Sequence, residues 1–247
     1  MNGKLYLVAT PIGNLEDITL RAIRILKEVD IIASEDTRQT LKLLNHLEIK
    51  KHLISYHRHS TDEKQEEIIE EIKRGKNIAI VSDAGTPVIS DPGEDIVKIA
   101  LSEGIEVIPI PGACALITAL IASGIDAKEF SFLGFLSTNK KIRQEKLEEI
   151  KLAKNTLILY EAPHKLKETL KDLSKITGTR KIVLARELTK IHEEFIFGTA
   201  EELLEKMQEP RGEFVIIIEK AKLEDRNIFE EMTIEEHYKY YERLRIR

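Results

Sequence analysis

The chain has 247 residues, of which 42% are hydrophobic and 33% charged, and its formal net charge is −5. This composition excludes an intrinsically disordered chain and a uniformly basic surface, so any contact with nucleic acid must use local basic patches. Cys114 is the one cysteine, which excludes an intramolecular disulfide and a cysteine metal cluster. The apolar runs at the N-terminus and at 113–125 are too short to cross a bilayer, and we expect a cytoplasmic protein.

Apolar runs alternate with helical patterns along the first half, which is typical of α/β layering. Four strands are predicted, over residues 5–9, 31–33, 77–81 and 106–110. Helices are predicted over 19–29, from 62 to the stop at Gly75, and over 96–101. Asp62 is the expected N-cap of the second of these helices.

The second half repeats the alternation. Helices are predicted over 113–123, 140–152, 166–176 and 201–207, and strands over 130–135, 156–160, 181–185, 195–198 and 214–219. We therefore predict an α/β fold with two α/β domains and mixed sheets, with domains at 1–115 and 116–222 and a short helical tail at 223–247.

Three strands of the first half end in turns rich in glycine and proline. These turns are Pro11-Ile12-Gly13, Asp83-Ala84-Gly85-Thr86-Pro87 and Pro111-Gly112. Ligands of open α/β sheets bind beyond the carboxyl ends of strands, where small residues let the backbone approach closely. Asp83 could accept a hydrogen bond from a ligand. Taken alone, each turn is better explained as an ordinary strand-to-helix connection, in which Asp83 caps a helix.

Polar clusters follow or precede other strands. They contain Glu35, Asp36 and Arg38, then Glu161, then Arg186 with Lys190, then Arg211 and Glu213. Each cluster could equally be a solvated turn with a surface ion pair worth at most about 1 kcal/mol. The chain has no G-x-G-x-x-G or P-loop pattern. His52, His57 and His59 share a loop-like region without metal-ligand spacing, so no metal is predicted.

Taken together, these motifs resemble the tetrapyrrole methylase superfamily, the class III S-adenosylmethionine methyltransferases. The resemblance extends from about Leu5 to Glu219. It rests on segments at the ends of strands and in the turns that follow them. The segments are 7–17 (LVATPIGNLED), 35–38 (EDTR), 56–57 (YH), 82–93 (SDAGTPVISDPG), 109–115 (PIPGACA), 132–136 (FLGFL), 160–164 (YEAPH), 186–190 (RELTK) and 212–215 (GEFV).

The resemblance implies two α/β domains with S-adenosylmethionine in the cleft between them, usually in a homodimer. The cofactor would be held largely by backbone groups, with Cys114 as a small wall residue. The implied cofactor-binding residues are Pro11, Asp83, Gly85, Thr86, Pro87, Ile89, Cys114 and Ala115, followed by Phe135, Tyr160, Ala185 and Gly212 from the second domain.

Within the superfamily, the motifs are similar to those of bacterial enzymes that methylate a ribose 2′-hydroxyl of a cytidine in 16S ribosomal RNA. The resemblance thus implies an RNA substrate within the small ribosomal subunit. We expect Glu35, Asp36, Arg38, Glu161, Arg186 and Lys190 to face the substrate. The catalytic candidates are Lys190, Glu161, Arg186 and Glu35, with Lys190 or a carboxylate assisting deprotonation of the hydroxyl. RNA contacts could come from Lys50-Lys51-His52, His57-Arg58-His59 and Lys140-Lys141 with Arg143. Each of these patches is equally consistent with solvated surface side chains.

Two alternatives remain open. One is a C-methyltransferase of a tetrapyrrole or corrin precursor, although that branch usually carries G-x-G-P-G-D where this chain has Thr10-Pro11-Ile12-Gly13-Asn14. The other is a non-catalytic RNA-binding protein that retains a degenerate cofactor fold. Binding of S-adenosylmethionine distinguishes the second alternative from both enzymes.

Overall fold

A computed structural model describes residues 2–57, 61–221, 233–235, 238 and 242. The described chain divides into two compact units. Unit 1 comprises the described residues up to Thr118 together with Leu188–Ile191, and unit 2 comprises Ala119–Glu187 and the described residues from His192 onward. Each unit contains a five-stranded sheet. The predicted α/β class with two sheets is confirmed.

The sheet of unit 1 is formed by strands that are all parallel. They are β1 (Leu5–Val8), β2 (Ile31–Ser34), β3 (His52–Ser55), β4 (Ile78–Val81) and β5 (Val107–Ile110). Their order across the sheet is β3-β2-β4-β1-β5. In register, Leu5 of β1 pairs with Ile78 of β4 and with Val107 of β5. All five carboxyl ends therefore lie along one edge of this sheet.

Helices cover both faces of this sheet. They are α1 (Leu20–Glu28), α2 (Thr37–His46), α3 (Asp62–Lys73) and α4 (Glu94–Ser102), and a short 3₁₀ helix, Leu15–Asp17, precedes α1. On one face Leu26 of α1 and Leu44 of α2 pack on Ile32. On the other, Ile72 of α3 and Ile96 of α4 pack on Leu5 and its neighbours. Because strand side chains alternate, every strand contributes to both cores.

The start of α1 shows how the sequence determines a helix end. Thr19 has extended backbone angles, and its side chain accepts a hydrogen bond from the amide of Ala22 at 3.1 Å. Ala22, Ile25 and Leu26 follow at helical spacing and are buried. Burial of Leu26, which is 0% exposed, stabilises the fold by about 1.5–3 kcal/mol.

Unit 2 has a mixed sheet with helices packed on one face. After α5 (Ala115–Ala122), which contains the division between the units, its strands are β6 (Phe130–Gly134), β7 (Thr156–Glu161), β8 (Ile182–Arg186), β9 (Glu194–Gly198) and β10 (Phe214–Ile218). The order is β6-β7-β10-β8-β9. Only the β6–β7 pair is parallel among these described strands. Its helices are α6 (Lys140–Lys151), α7 (Pro163–Thr177) and α8 (Ala200–Lys206).

The structure corrects some local predictions. Helix α2 and strand β3 were not expected, and His52 begins β3 although the pattern suggested a loop. The N-cap of α3 is Thr61, because Asp62 already has helical geometry. Arg58 and His59 lie outside the described residues, as does the predicted tail at 223–247 apart from residues 233–235, 238 and 242.

Candidate active site

The loops at the carboxyl edge of unit 1 are joined by hydrogen bonds. The amide of Thr10 donates to the carbonyl of Gly85 at 2.9 Å, and the amide of Gly85 donates back to Thr10 at 3.1 Å. Thr86 Oγ1 donates to the carbonyl of Ala113 at 3.0 Å. The loops after β1, β4 and β5 thus form one structure. Strands β1 and β4 are neighbours whose following helices cover opposite faces, which is where α/β sheets bind ligands.

Two glycines allow these loops to pack closely. Gly85 has φ +88°, and a Cβ there would lie 3.0 Å from Ile12 Cγ2. A Cβ on Gly112 would lie 2.8 Å from Ala9 Cβ. A side chain at either position would push two loops apart. The glycine pattern that predicted a ligand edge therefore has a steric reason in the structure.

Backbone strain is concentrated near the same motifs. Five non-glycine residues among those described have positive φ. Val88 (75°) and Ser90 (65°) lie in the loop after β4, while Glu187 (51°) and Thr189 (67°) lie in the loop after β8. The fifth, Glu48 (56°), follows the end of α2. Such conformations cost about 1–3 kcal/mol each and persist mainly at functional sites. Sequence reasoning missed Val88 and Ser90 because no side-chain chemistry marked them.

Asp83 contacts the loop after β2. Its Oδ1 accepts a hydrogen bond from the amide of Asp36 at 2.9 Å. The N-cap of α4 is Gly93, so Asp83 does not cap that helix. Asp36 itself caps α2 and pairs with Arg38 at 2.8 Å. The hydrogen bond from the Arg38 side chain, with that from its amide, lowers the pKa of Asp36 to about 2.

Two of the four catalytic candidates belong to unit 1. Glu35 directly follows β2 at the carboxyl edge. Lys190 lies in the segment Leu188–Ile191, which packs against the loop after β1: a Cβ on Gly13 would lie 2.6 Å from Lys190 Cγ and 2.7 Å from Thr189 Oγ1. The structure therefore brings Glu35 and Lys190 to the same edge as Asp83.

In unit 2, three predicted cofactor residues are related by the sheet and by ring contacts. Tyr160 and Ala185 lie on either side of Val215, on the face opposite the helices. The ring of Phe135 lies 5.7 Å from that of Tyr160, and Phe132 lies 4.8 Å from it, both edge-on. Gly212 precedes β10 with φ +88°, and a Cβ there would lie 2.6 Å from the Glu187 carboxyl carbon. These residues provide an aromatic and a small-residue surface.

Glu161 and Arg186 are engaged in hydrogen bonds within unit 2. Glu161 is 4% exposed, and its oxygens accept from the Ala162 amide at 2.9 Å and the Thr169 hydroxyl at 2.5 Å. Arg186 Nε donates to the carbonyl of Arg211 at 2.7 Å, and its guanidinium pairs with Glu194. These contacts favour a structural role for both residues.

Of the lysines and the arginine predicted to contact RNA, some are bonded within the protein and others are exposed. Lys51 Nζ donates to the carbonyl of Val29 at 2.7 Å, and Arg143 Nε pairs with Asp172 at 2.9 Å with only 11% of its side chain exposed. Lys50, Lys140 and Lys141 are exposed. Lys51 and Arg143 thus hold local structure, whereas the other three are accessible to a partner.

The residues at the carboxyl edge of unit 1 fit S-adenosylmethionine chemically. The turns 83–87 and 111–115 combine an exposed carboxylate, Asp83, with small walls at Ala84, Gly85, Ala113 and Cys114. A carboxylate and backbone groups can bind ribose hydroxyls and an amino group, and small side chains leave room for the adenine ring. Among the described residues, no group of three or more His, Cys, Asp or Glu side chains could hold a metal ion. None of the described helices has the length and apolarity needed to span a membrane.

Comparison with known proteins agrees with this geometry. The family model of Tetrapyrrole (Corrin/Porphyrin) Methylases matches residues 4–204. Ribosomal RNA small subunit methyltransferase I of Halalkalibacterium halodurans is 52% identical over 97% of this chain and 84% of its own length. The protein of the same name from Bacillus subtilis is 51% identical over the same shares. A solved structure of uroporphyrin-III C-methyltransferase from Thermus thermophilus, complexed with S-adenyl homocysteine, has a TM-score of 0.63 and 18% identity, covering 88% of this chain and 97% of that one.

The match to the family model spans most of the chain, and the two relatives share about half of their residues with it. The solved structure, at its lower identity, supports the fold alone. The resemblance inferred from the motifs is confirmed: this chain belongs to the tetrapyrrole methylase family and is a methyltransferase.

Proposed function

We propose that the chain transfers a methyl group from S-adenosylmethionine to the 2′-hydroxyl of a cytidine in 16S ribosomal RNA of the small ribosomal subunit. The observation that carries this proposal is the identity of about half of all residues, over 97% of the chain, to proteins named ribosomal RNA small subunit methyltransferase I. The positive φ angles of Val88 and Ser90 after β4 support a ligand-binding function of this edge, because strained backbone is rarely retained without a function.

The residues that we propose for cofactor binding form one set in each unit. Unit 1 contributes backbone groups and small walls, and Asp83 accepts a hydrogen bond from the cofactor. Unit 2 contributes the ring of Tyr160, held by its edge-on contacts with Phe132 and Phe135. The full set is Pro11, Asp83, Gly85, Thr86, Pro87, Ile89, Cys114, Ala115, Phe135, Tyr160, Ala185 and Gly212.

S-adenosylmethionine supplies a methyl group made electrophilic by its sulfonium. The ribose oxygen forms the new bond to carbon while the carbon–sulfur bond breaks, and the hydroxyl proton must leave to a base. We assign Glu35 as that base, because a carboxylate can accept a proton and Glu35 directly follows β2 at the same edge as Asp83. Lys190, held beside Gly13, stabilises the negative charge that develops on the oxygen.

Single-turnover methylation tests these roles. Small ribosomal subunits from a methylation-deficient strain are incubated with methyl-labelled S-adenosylmethionine, and the label is mapped by nuclease digestion and mass spectrometry. Glu35→Gln and Lys190→Met are each expected to slow the step by about 100-fold or more. Glu16→Gln changes an exposed glutamate of unit 1 outside the proposed machinery and should leave the rate unchanged.

Conservative variants separate the chemical roles from structural ones. Glu35→Asp, which keeps a carboxylate, should retain more activity than Glu35→Gln, and Lys190→Arg, which keeps the positive charge, more than Lys190→Met. Wild-type rates in Glu35→Gln and Lys190→Met would exclude these assignments. Label in a tetrapyrrole and none in ribosomal RNA would favour the alternative substrate class.

Two further expectations accompany this function. We propose a homodimer, which light scattering of the purified chain would test by the mass in solution. We also propose a cytoplasmic location, where ribosomal subunits are assembled, and fractionation of cells expressing the tagged full chain would test it.

A further inference from the structure

The two helix layers of unit 1 differ in charge. Helices α1 and α2 together carry five basic residues and one acidic residue. Helices α3 and α4, on the opposite face, carry three basic and eight acidic residues. Since the whole chain has a net charge of −5, a polyanion can approach closely only where the local charge is reversed. The α1–α2 layer is such a place.

The basic side chains of this layer point outward. On α1, Ala22, Ile25 and Leu26 are buried, which leaves Arg21, Arg24 and Lys27 on the solvent side. On α2, Thr40 and Leu44 are buried, and Arg38 and Lys42, four residues apart, share the exposed side. Lys50, which precedes β3, is also exposed. We call Arg21, Arg24, Lys27, Arg38, Lys42 and Lys50 the basic face.

Two hydrogen bonds join the N-terminal ends of α1 and α2, the helices that carry the basic face, to the loops of the candidate active site. Asp36, the N-cap of α2, donates its amide to Asp83 at 2.9 Å. Thr19, the N-cap of α1, donates its hydroxyl to the carbonyl of Pro111 at 3.5 Å. Both helices therefore begin at the loops that hold the cofactor in our proposal. A polyanion bound along them would reach the carboxyl edge.

Acidic content distinguishes this layer from the other basic layer. Helices α6 and α7 of unit 2 carry nine basic and five acidic residues. Helices α1 and α2 carry one acidic residue, Glu28, against five basic ones. Glu28 pairs with Arg24, and Asp36 at the N-cap of α2 pairs with Arg38. The α1–α2 layer therefore offers a polyanion fewer repelling carboxylates.

We propose that the basic face binds the phosphate backbone of the ribosomal RNA next to the nucleotide that is methylated. The inference rests on the proposed function and adds the surface that docks the substrate. Lysine and arginine side chains on helix surfaces suit phosphates, because such contacts position a nucleic acid without reading its bases. Specificity for the nucleotide then belongs to the carboxyl edge.

The test compares two fourfold variants of the full chain. The first replaces Arg21, Lys27, Lys42 and Lys50 by Gln, and the matched control replaces the exposed Lys151, Lys154, Lys167 and Lys171 by Gln, removing the same charge from unit 2. Binding to methylation-deficient small subunits is measured over a range of salt concentrations. The dissociation constant of S-adenosylmethionine and the single-turnover rate at saturating subunits are measured alongside.

The first variant should bind subunits about 100-fold more weakly near 0.1 M salt, and the slope of log affinity against log salt should fall by about 3. Its cofactor affinity and saturated rate should equal those of the wild type, because no replaced residue belongs to the proposed machinery. The control should bind within about threefold of the wild type, since four separate surface lysines without phosphate contacts add little.

Three results would overturn the inference. An unchanged salt slope in the first variant, or a larger loss in the control, would place the RNA elsewhere. Normal binding to the protein-free RNA fragment with weakened binding to intact subunits would indicate a ribosomal protein as the partner. If the wild type methylates no ribosomal RNA, the proposed function fails as well, whereas wild-type subunit affinity in both variants, with ribosomal RNA still methylated, removes only this inference.

Discussion

Polar residues follow strands in both units, but those of unit 1 lie at an exposed edge, whereas Glu161 of unit 2 is buried and hydrogen-bonded. At the carboxyl edge of unit 1, Asp83 and Asp36 are linked by one amide hydrogen bond and the loops around them are strained. At the end of β7 in unit 2, Glu161 is buried and both of its oxygens are bonded to Ala162 and Thr169. The two strand-end carboxylates therefore differ in exposure: Asp83 is exposed at the carboxyl edge and can meet a ligand, whereas Glu161 is enclosed by its own unit.

The bonded set in unit 2 extends across two helices. Thr169 of α7 donates to Glu161 and accepts from Arg143 of α6 at 3.0 Å, and Arg143 pairs with Asp172. Such a network fixes the start of α7 against β7. This network stabilises unit 2, because each of its members is at least partly buried and hydrogen-bonded.

Removal of Glu161 should have the largest effect on stability. Glu161→Ala leaves the Thr169 hydroxyl and the Ala162 amide without their acceptor, and we expect the free energy of unfolding to fall by about 3 kcal/mol. Urea denaturation of the full chain measures it. Thr169→Ser, which retains the hydroxyl, is the control and should lose less. A normally stable Glu161→Ala protein with no activity would reverse the comparison and return Glu161 to the catalytic residues.

Relief of strain in unit 1 should have an intermediate effect. Val88→Gly accommodates φ 75° without a steric penalty, so the unfolding free energy should rise by about 1 kcal/mol. If the strained loop is shaped for the cofactor, the same variant should bind S-adenosylmethionine more weakly in calorimetry. Glu48→Gly, at φ 56° beyond the end of α2, is the matched control. It should gain stability and keep its cofactor affinity; equal cofactor affinity in both variants would separate the strain from function.

The smallest effect concerns Asp36. Its pKa in the folded chain, about 2, is below the ordinary value of 3.8, chiefly because of the hydrogen bond from Arg38. The contribution to stability is therefore present above the ordinary value and is lost as pH falls through about 2. Arg38→Ala should return the pKa towards 3.8, as followed by carboxyl NMR. Arg24→Ala, on the neighbouring helix, should leave it unchanged, and a persistently low pKa in Arg38→Ala would show that another donor causes the shift.

The sequence predicted elements whose signals are local. Strand β4 was expected because Ile78, Ile80 and Val81 form an apolar run that ends in a glycine turn. Strand β3, with the sequence HLIS and exposed ends, was missed because a short edge strand has little apolar signal. Helix α2 was missed because Leu41 is exposed while Thr40 is buried, which obscures its periodicity.

The candidate site was predictable to the extent that it depends on turns. Gly85, Gly112 and Asp83 lie where their motifs indicated. One available signal was not used: Tyr160 and Glu161 are neighbours on a strand, so they must point to opposite faces and cannot both line one ligand. The packing of Lys190 against Gly13 had no local signal, because it depends on residues from distant parts of the chain.

Because Lys190 packs against Gly13, the loop after β1 depends on a segment that is synthesised much later. Unit 1 contains the first strands of the chain and also Leu188–Ile191, which the ribosome makes only after most of unit 2. The sheet of unit 1 can form early, since its strands all precede Cys114. The loop after β1 cannot reach its final packing until the late segment has emerged, so the nascent chain holds an incomplete active edge for most of translation. The newly made methyltransferase thus acquires Lys190, the residue that we propose stabilises charge on the ribose oxygen, only late in translation.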